Sequence, residues 1–165
     1  MIVGSLVVIV LQLFLAPYIR VFAAVPNFLV AFTLAVAVVR PTSFSCILPF
    51  VLGLVFDFVG GGPVGAMAFT LTLVSTLASR LFQHVDNDSL FMAFAVMAAS
   101  ALLVEALYAV FILVLGSSVS FVDAFAYRVL PCFVYNVVIS FIAYPIVARF
   151  ARPRGALRAE LTQLR

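Results

Sequence analysis

Between Leu90 and Leu115 the chain runs for 26 residues with one charged side chain, Glu105. At about 1.5 Å per residue, a helix of that length exceeds the ~30 Å hydrocarbon core of a bilayer. Five further apolar segments can be drawn: Ile2–Tyr18, Phe22–Val39, Phe44–Val59, Val64–Phe82 and Tyr127–Phe150. Only 9% of residues are charged and 67% are hydrophobic, against roughly 45–50% apolar in a soluble domain. A water-facing surface cannot be covered with so few charges. The pattern predicts an all-α integral membrane protein with six transmembrane helices in one domain, residues 1–150. A short basic tail, residues 151–165, follows.

The first segment lacks a basic leader and a clear cleavage site, so it reads as a membrane helix. The second places Pro26 in its opening turn and ends at Arg40-Pro41. Segments two and three hold about sixteen to eighteen residues, or ~24–27 Å of helix. They read as two full spans in a locally thinned bilayer, with a hairpin packed against the other helices as the alternative. Pro63 is expected at the first helical position of segment four.

All nine basic residues are arginine, and their placement predicts orientation. With the N-terminus inside, Arg40, Arg80, Arg149 and the tail residues Arg152, Arg154, Arg158 and Arg165 are cytoplasmic. Arg20 and Arg128 alone are outside. Both termini are therefore expected in the cytoplasm, with the Gly60–Pro63 turn facing outward. The tail arginines suit anionic lipid.

A charge within the apolar runs must be satisfied. Asp57 sits in Gly53-Leu54-Val55-Phe56-Asp57-Phe58-Val59-Gly60-Gly61-Gly62-Pro63-Val64-Gly65. On a helix Pro49, Gly53, Asp57 and Gly60 or Gly61 share one narrow face that lets another backbone come close. The free N–H groups of Val64, Gly65 and Ala66 would carry the positive end of the next helix dipole, within reach of the Asp57 carboxylate. Two compatible readings follow: a staple holding a tight hairpin, and a hairpin that forms a docking surface or pocket floor. Bulky residues at Gly61 and Gly65 are expected to disrupt both.

Glu105 lies about ten residues from the nearer end of its segment, hence deep. Ala95, Ala98, Leu102 and Glu105 form a candidate small-residue stripe. Asn136 falls at similar depth on segment six, and a Glu105–Asn136 hydrogen bond is expected. It reads either as helix–helix glue or as a group that contacts a partner or substrate. Small-xxx-small pairs at Ala31/Ala35, Ser75/Ser79 and Ala95/Ala99 mark faces that can pack closely.

Cys46 and Cys132 lie in apolar runs without ligand spacing and read as packing residues. His84 is the only histidine. Asp57 and Glu105 lie at different depths and form no carboxylate pair. No nucleotide-binding loop, nucleophile elbow or zinc-protease motif occurs. No enzyme activity, metal, cofactor or nucleic-acid partner is expected.

Pro26-Asn27-Phe28-Leu29-Val30, then Arg40-Pro41, then the Gly53–Gly65 stretch resemble, in order and spacing, the bacterial rod shape-determining protein MreD family. The likeness is sharpest over residues 26–82 and only hydropathic in the last two segments. Asn27 stands where that family often has aspartate, and Val64 where leucine is common. The resemblance implies a non-enzymatic membrane scaffold of the cell-wall elongation machinery, similar in fold to the substrate-binding subunits of energy-coupling-factor transporters. It implies association with the single-span protein MreC, and through it with RodA, a class B penicillin-binding transpeptidase and MreB filaments. Pro26, Asn27, Gly53, Asp57, Gly61, Pro63 and Gly65 would then shape the docking surface. The alternative is a vitamin-binding subunit of such a transporter, which would need convergent polar groups around a pocket.

Overall fold

A computed structural model describes residues 2–19, 25–41, 45–60, 62–84, 90–115 and 129–151. Among them the chain forms six α-helices and no strand. They are α1 (Ile2–Val10), α2 (Phe28–Val39), α3 (Ile47–Gly60), α4 (Ala66–Gln83), α5 (Leu90–Val114) and α6 (Leu130–Ala151). A π-helical turn, Leu11–Leu15, continues α1.

The helices coincide with the six apolar runs, but several begin later than the hydropathy suggests. Segment two loses its first turn: Asn27 is the N-cap of α2, so Pro26 precedes the helix instead of opening it. Proline has no N–H to give and constrains the residue before it, which suits an extended entry. Segment four likewise starts at Ala66, with Gly65 as N-cap, and Pro63 lies in the turn before it. The expected starts at Phe22, Phe44 and Tyr127 lie outside the described residues.

Among the described residues two helices, α5 and α6, are long and apolar enough to cross a membrane. Helices α2 and α3 have 12 and 14 residues, so they reach only about 18 and 21 Å. They are shorter than the sixteen to eighteen residues expected.

Helix α2 is the centre of the bundle. Every residue from Leu29 to Val38 is buried, polar Thr33 included. A helix that is apolar on all sides must be surrounded, and α6, α4 and α5 surround this one. Thr33 donates to the Leu29 carbonyl at 2.7 Å, which satisfies its hydroxyl inside its own helix. Thr70 and Thr72 on α4 do the same toward Ala66 and Ala68. Helix α3 packs chiefly on α4. Aromatic contacts tie the outer helices: Phe94 stacks on Phe141 at 4.2 Å, and Phe69 meets Phe111 edge-on at 6.0 Å. The exit of α2 is held to α4 by Ser79 Oγ and Gln83 Nε2, which donate to the Pro41 carbonyl at 2.9 and 2.7 Å.

The buried face of α5 differs from the expected stripe. Ala93, Met97, Ala101, Glu105 and Tyr108 face inward, whereas Ala95 is exposed and Ala98 and Leu102 are half-buried. The packed ridge follows the four-residue step of the helix, and Glu105 belongs to it. Ala31/Ala35 and Ser75/Ser79 are buried, but Ala95 and Ala99 point outward. The outer surface carries large apolar side chains throughout, including Phe58, Phe91, Phe141, Ile142 and Phe150. Such a surface suits lipid and not water.

Candidate functional site

Two helices begin inside the bundle, and both face the same problem. The first four N–H groups of a helix have no partner within it. Burial away from water makes each unpaired donor costly. Side chains from elsewhere in the chain solve the problem at both starts, and these caps unite most of the candidate site residues.

At the start of α4 the solution is Asp57. Its carboxylate is 1% exposed. Oδ2 accepts from Gly65 N–H at 2.9 Å and Ala68 N–H at 3.2 Å, and Oδ1 accepts from Met67 N–H at 3.1 Å. Ala66 N–H goes to the Pro63 carbonyl at 3.2 Å, and Phe69 N–H to the Gly65 carbonyl at 2.9 Å. Every donor from Gly65 to Phe69 is therefore accounted for. The negative charge sits at the positive end of the α4 dipole. Of the donors expected from sequence, Gly65 is one. Val64 and Ala66 are replaced by Met67 and Ala68, because the helix starts later than the hydropathy suggests.

Three candidate residues make this geometry possible. Gly53 lies one turn before Asp57 and touches the α4 backbone. A Cβ there would lie 2.7 Å from Ala68 N and 2.9 Å from the Met67 carbonyl carbon, closer than real Cβ atoms come. The missing side chain brings the two backbones near enough for Asp57 to reach its donors. Gly65 has φ +94°, in the left-handed region that glycine adopts without penalty. Space around it is open, so a side chain there is opposed by backbone conformation and not by a clash. Pro63 supplies the carbonyl for Ala66. Pro49, Gly53 and Asp57 are buried together, but Gly60 at the end of their face is exposed. Gly61 lies outside the described residues.

At the start of α2 the solution is a chain of amides. Asn27 Oδ1 accepts from Val30 N–H at 3.2 Å, an N-cap bond. Gln12, from the π-helical turn, accepts from Phe28 N–H at 2.8 Å and donates to the Pro26 carbonyl at 3.2 Å. Asn27 N–H donates to Asn136 Oδ1 at 3.1 Å, and Asn136 Nδ2 donates to Glu105 Oε1 at 2.8 Å. Glu105 and Asn136 are thus joined, and the same link reaches Asn27. Asn136 is fully buried and Glu105 is 4% exposed. Replacing Asn136 by alanine would strand the Asn27 N–H and remove a donor from Glu105. The expected cost is about 2–4 kcal/mol, at ~1–3 kcal/mol per stranded buried group. Thermal unfolding in detergent micelles measures it; a change below about 0.5 kcal/mol would mean the link carries no load.

Gln12 escaped the sequence reading. It is a lone amide in an apolar run, and its polarity alone was a usable signal. Tyr108 was also missed. Its ring meets Phe56 edge-on at 5.9 Å, and its hydroxyl lies against Gly62 in the α3–α4 turn. The two sets therefore meet at one end of the bundle, the end carrying that turn. No group of three histidine, cysteine or acidic side chains with metal-binding geometry occurs among the described residues. The site is made of backbone donors and the side chains that hold them.

Compared with known families, residues 1–154 match the model of the rod shape-determining protein MreD family. No curated protein and no solved structure matches the chain.

Proposed function

The chain belongs to the rod shape-determining protein MreD family, and we propose that it serves there as a non-enzymatic scaffold which receives the single-span protein MreC. Membership carries a role in rod-shape determination. In this reading six segments cross the bacterial inner membrane and both termini are cytoplasmic. The α3–α4 hairpin faces outward. MreC would join the protein to RodA, the class B transpeptidase and, indirectly, MreB filaments.

The observation that carries the proposal is the use of Asp57. Its carboxylate makes three bonds to the start of α4. A charge committed to backbone in this way builds a rigid hairpin. Exposed Phe58, Val59 and Val64 then stand on the hairpin's outside, where a partner's membrane helix or juxtamembrane segment can lie. Asn27, Glu105 and Asn136 hold α2 against α5 and α6 behind it.

The test is affinity capture from native membranes of a rod-shaped host, followed by mass spectrometry. MreC should be recovered with the wild-type chain. Phe58→Arg together with Val64→Arg, which leave the hairpin bonds intact, should lower that recovery at least ten-fold and give rounded cells. Undiminished recovery would remove the hairpin from the interface. Recovery of an ATPase-linked membrane protein in place of MreC would favour the transporter reading. A reporter fused after Arg165 should be active only in its cytoplasmic form; periplasmic activity would overturn the orientation.

A further inference from the structure

Beneath the α3–α4 turn the bundle is hollow. Helix α2 starts only at Phe28, and a cavity of about 360 Å³ lies beside its N-cap. Its mouth and its interior differ in chemistry. Pro17, Val25, Val59 and Gly60 line it and are exposed, so they form the mouth, and none brings a polar side chain. An opening of that kind suits hydrocarbon and not a dissolved polar solute. Further in, the Phe56 ring and the Met67 side chain continue the apolar wall.

The interior also holds two amide groups with hydrogens to spare. Asn27 is 2% exposed, and its Oδ1 is turned to Val30 N–H. Among the described residues its Nδ2 has no partner. Ser140 Oγ is the one sealed side-chain polar atom without a partner among those residues, so Asn27 Nδ2 is not sealed: it opens on the cavity. Gln12 gives one amide hydrogen to the Pro26 carbonyl and keeps a second, while its Oε1 accepts from Phe28 N–H. Both oxygens are thus turned to backbone, and what faces the cavity is a pair of donors. Buried amides normally find a partner, so the missing group is an acceptor. Glu105 and Tyr108 also line the cavity, but both are engaged within the protein, and no ligand atom is placed on either.

We propose that this cavity admits one acyl chain of a diacyl membrane lipid, whose ester carbonyl accepts from the Asn27 and Gln12 amides. An ester has oxygen lone pairs to offer and no hydrogen to give, which matches a donor pair. Its chain lies against Phe56 and Met67 and leaves between Val25 and Val59. The cavity lies at one end of the bundle, and in a spanning bundle that is the level of the lipid ester groups. A partner's transmembrane helix is a poorer match, because its carbonyls are already closed by its own N–H groups. Water would satisfy the donors but gain little from the apolar wall.

The probe is dioleoyl phosphatidylcholine, compared with its dialkyl ether analogue, which lacks only the two carbonyls. The full chain, carrying ¹³C-methyl methionine, is titrated with each lipid in detergent micelles. Retained lipid is counted by native mass spectrometry. The ester lipid should be held saturably and shift the Met67 methyl resonance. The ether lipid should be held about ten-fold more weakly, as the loss of buried hydrogen bonds requires. Met92, on the outer surface, should respond to both lipids alike. Asn27→Ser keeps a capping oxygen and removes Nδ2, and should weaken the ester lipid by a similar factor. Should that variant fail to fold, Val59→Trp, at an exposed position, narrows the mouth and is read in the same way. Phe58→Arg with Val64→Arg, which do not line the cavity, should leave retention unchanged, so failure of MreC capture and failure of lipid binding are told apart. Equal retention of the two lipids, an unmoved Met67 methyl, undiminished binding to the folded variant, or loss of binding in the arginine pair would each overturn the proposal.

Discussion

Replacing Asp57 by alanine is expected to destabilise the protein by at least about 3 kcal/mol, at ~1–3 kcal/mol for each buried donor left without an acceptor. Three donors are affected: the N–H groups of Gly65, Met67 and Ala68. Among the described residues no other side chain accepts from any of them, and Asp57 itself is buried, so water reaches the gap poorly. The loss of charge at the start of α4 adds a dipole contribution of about 0.3–2 kcal/mol. Asp57→Asn should lie between wild type and alanine. One oxygen survives to accept, but the new amide group turns donors toward donors at the other position. Unfolding of the purified protein in detergent, with the two variants side by side, measures both. Equal stability of Asp57→Ala and wild type would mean that the hairpin is held by packing alone.

Gly53→Ala should be nearly as damaging, although it adds one methyl group. In a helix interior alanine is normally favoured over glycine by about 1 kcal/mol. Here the new Cβ would meet Ala68 N at 2.7 Å and the Met67 carbonyl carbon at 2.9 Å, and neither is a flexible side chain that can swing aside. The helices must separate. Overpacking of this kind typically costs about 1–3 kcal/mol. Separation also lengthens the three Asp57 bonds, so the total is expected to exceed about 2 kcal/mol. Gly60→Ala is the matched control. Its Cβ would lie 3.6 Å from the Phe56 ring, an ordinary contact. Its stability should stay within about 0.5 kcal/mol of wild type, as expected for a site without close neighbours. If the two alanine variants unfold together, close approach of α3 and α4 is not what Gly53 provides. Gly53→Ala should also depress the response to Asp57→Ala, because both act on the same bonds and their effects are not additive.

The two substitutions also separate stability from recognition. Phe58 and Val64 are exposed on the hairpin, whereas Gly53 and Asp57 are buried beneath it. A change at the exposed pair acts on a partner directly. A change at the buried pair acts through the shape of the hairpin, and should affect folding and capture together.

Much of this arrangement is legible in the residues. The apolar runs have helical length, and the price of leaving an acid or an amide unpaired in an apolar medium makes Asp57, Glu105 and Asn136 stand out before any fold is known. Asp57 finds its donors within eight to eleven residues, so local reasoning locates the cap to within a turn. What local reasoning cannot supply is the helix start, since Gly65, and not Pro63, ends the turn. That choice moves two of the three donors. The start of α2 is of another kind. Its donors are met by Gln12 and by Asn136, the latter 109 residues from Asn27. No spacing along the chain encodes that meeting. It arises because α2, apolar on every side, must be enclosed by the other helices, and enclosure brings their few polar side chains to the one place where backbone donors remain open.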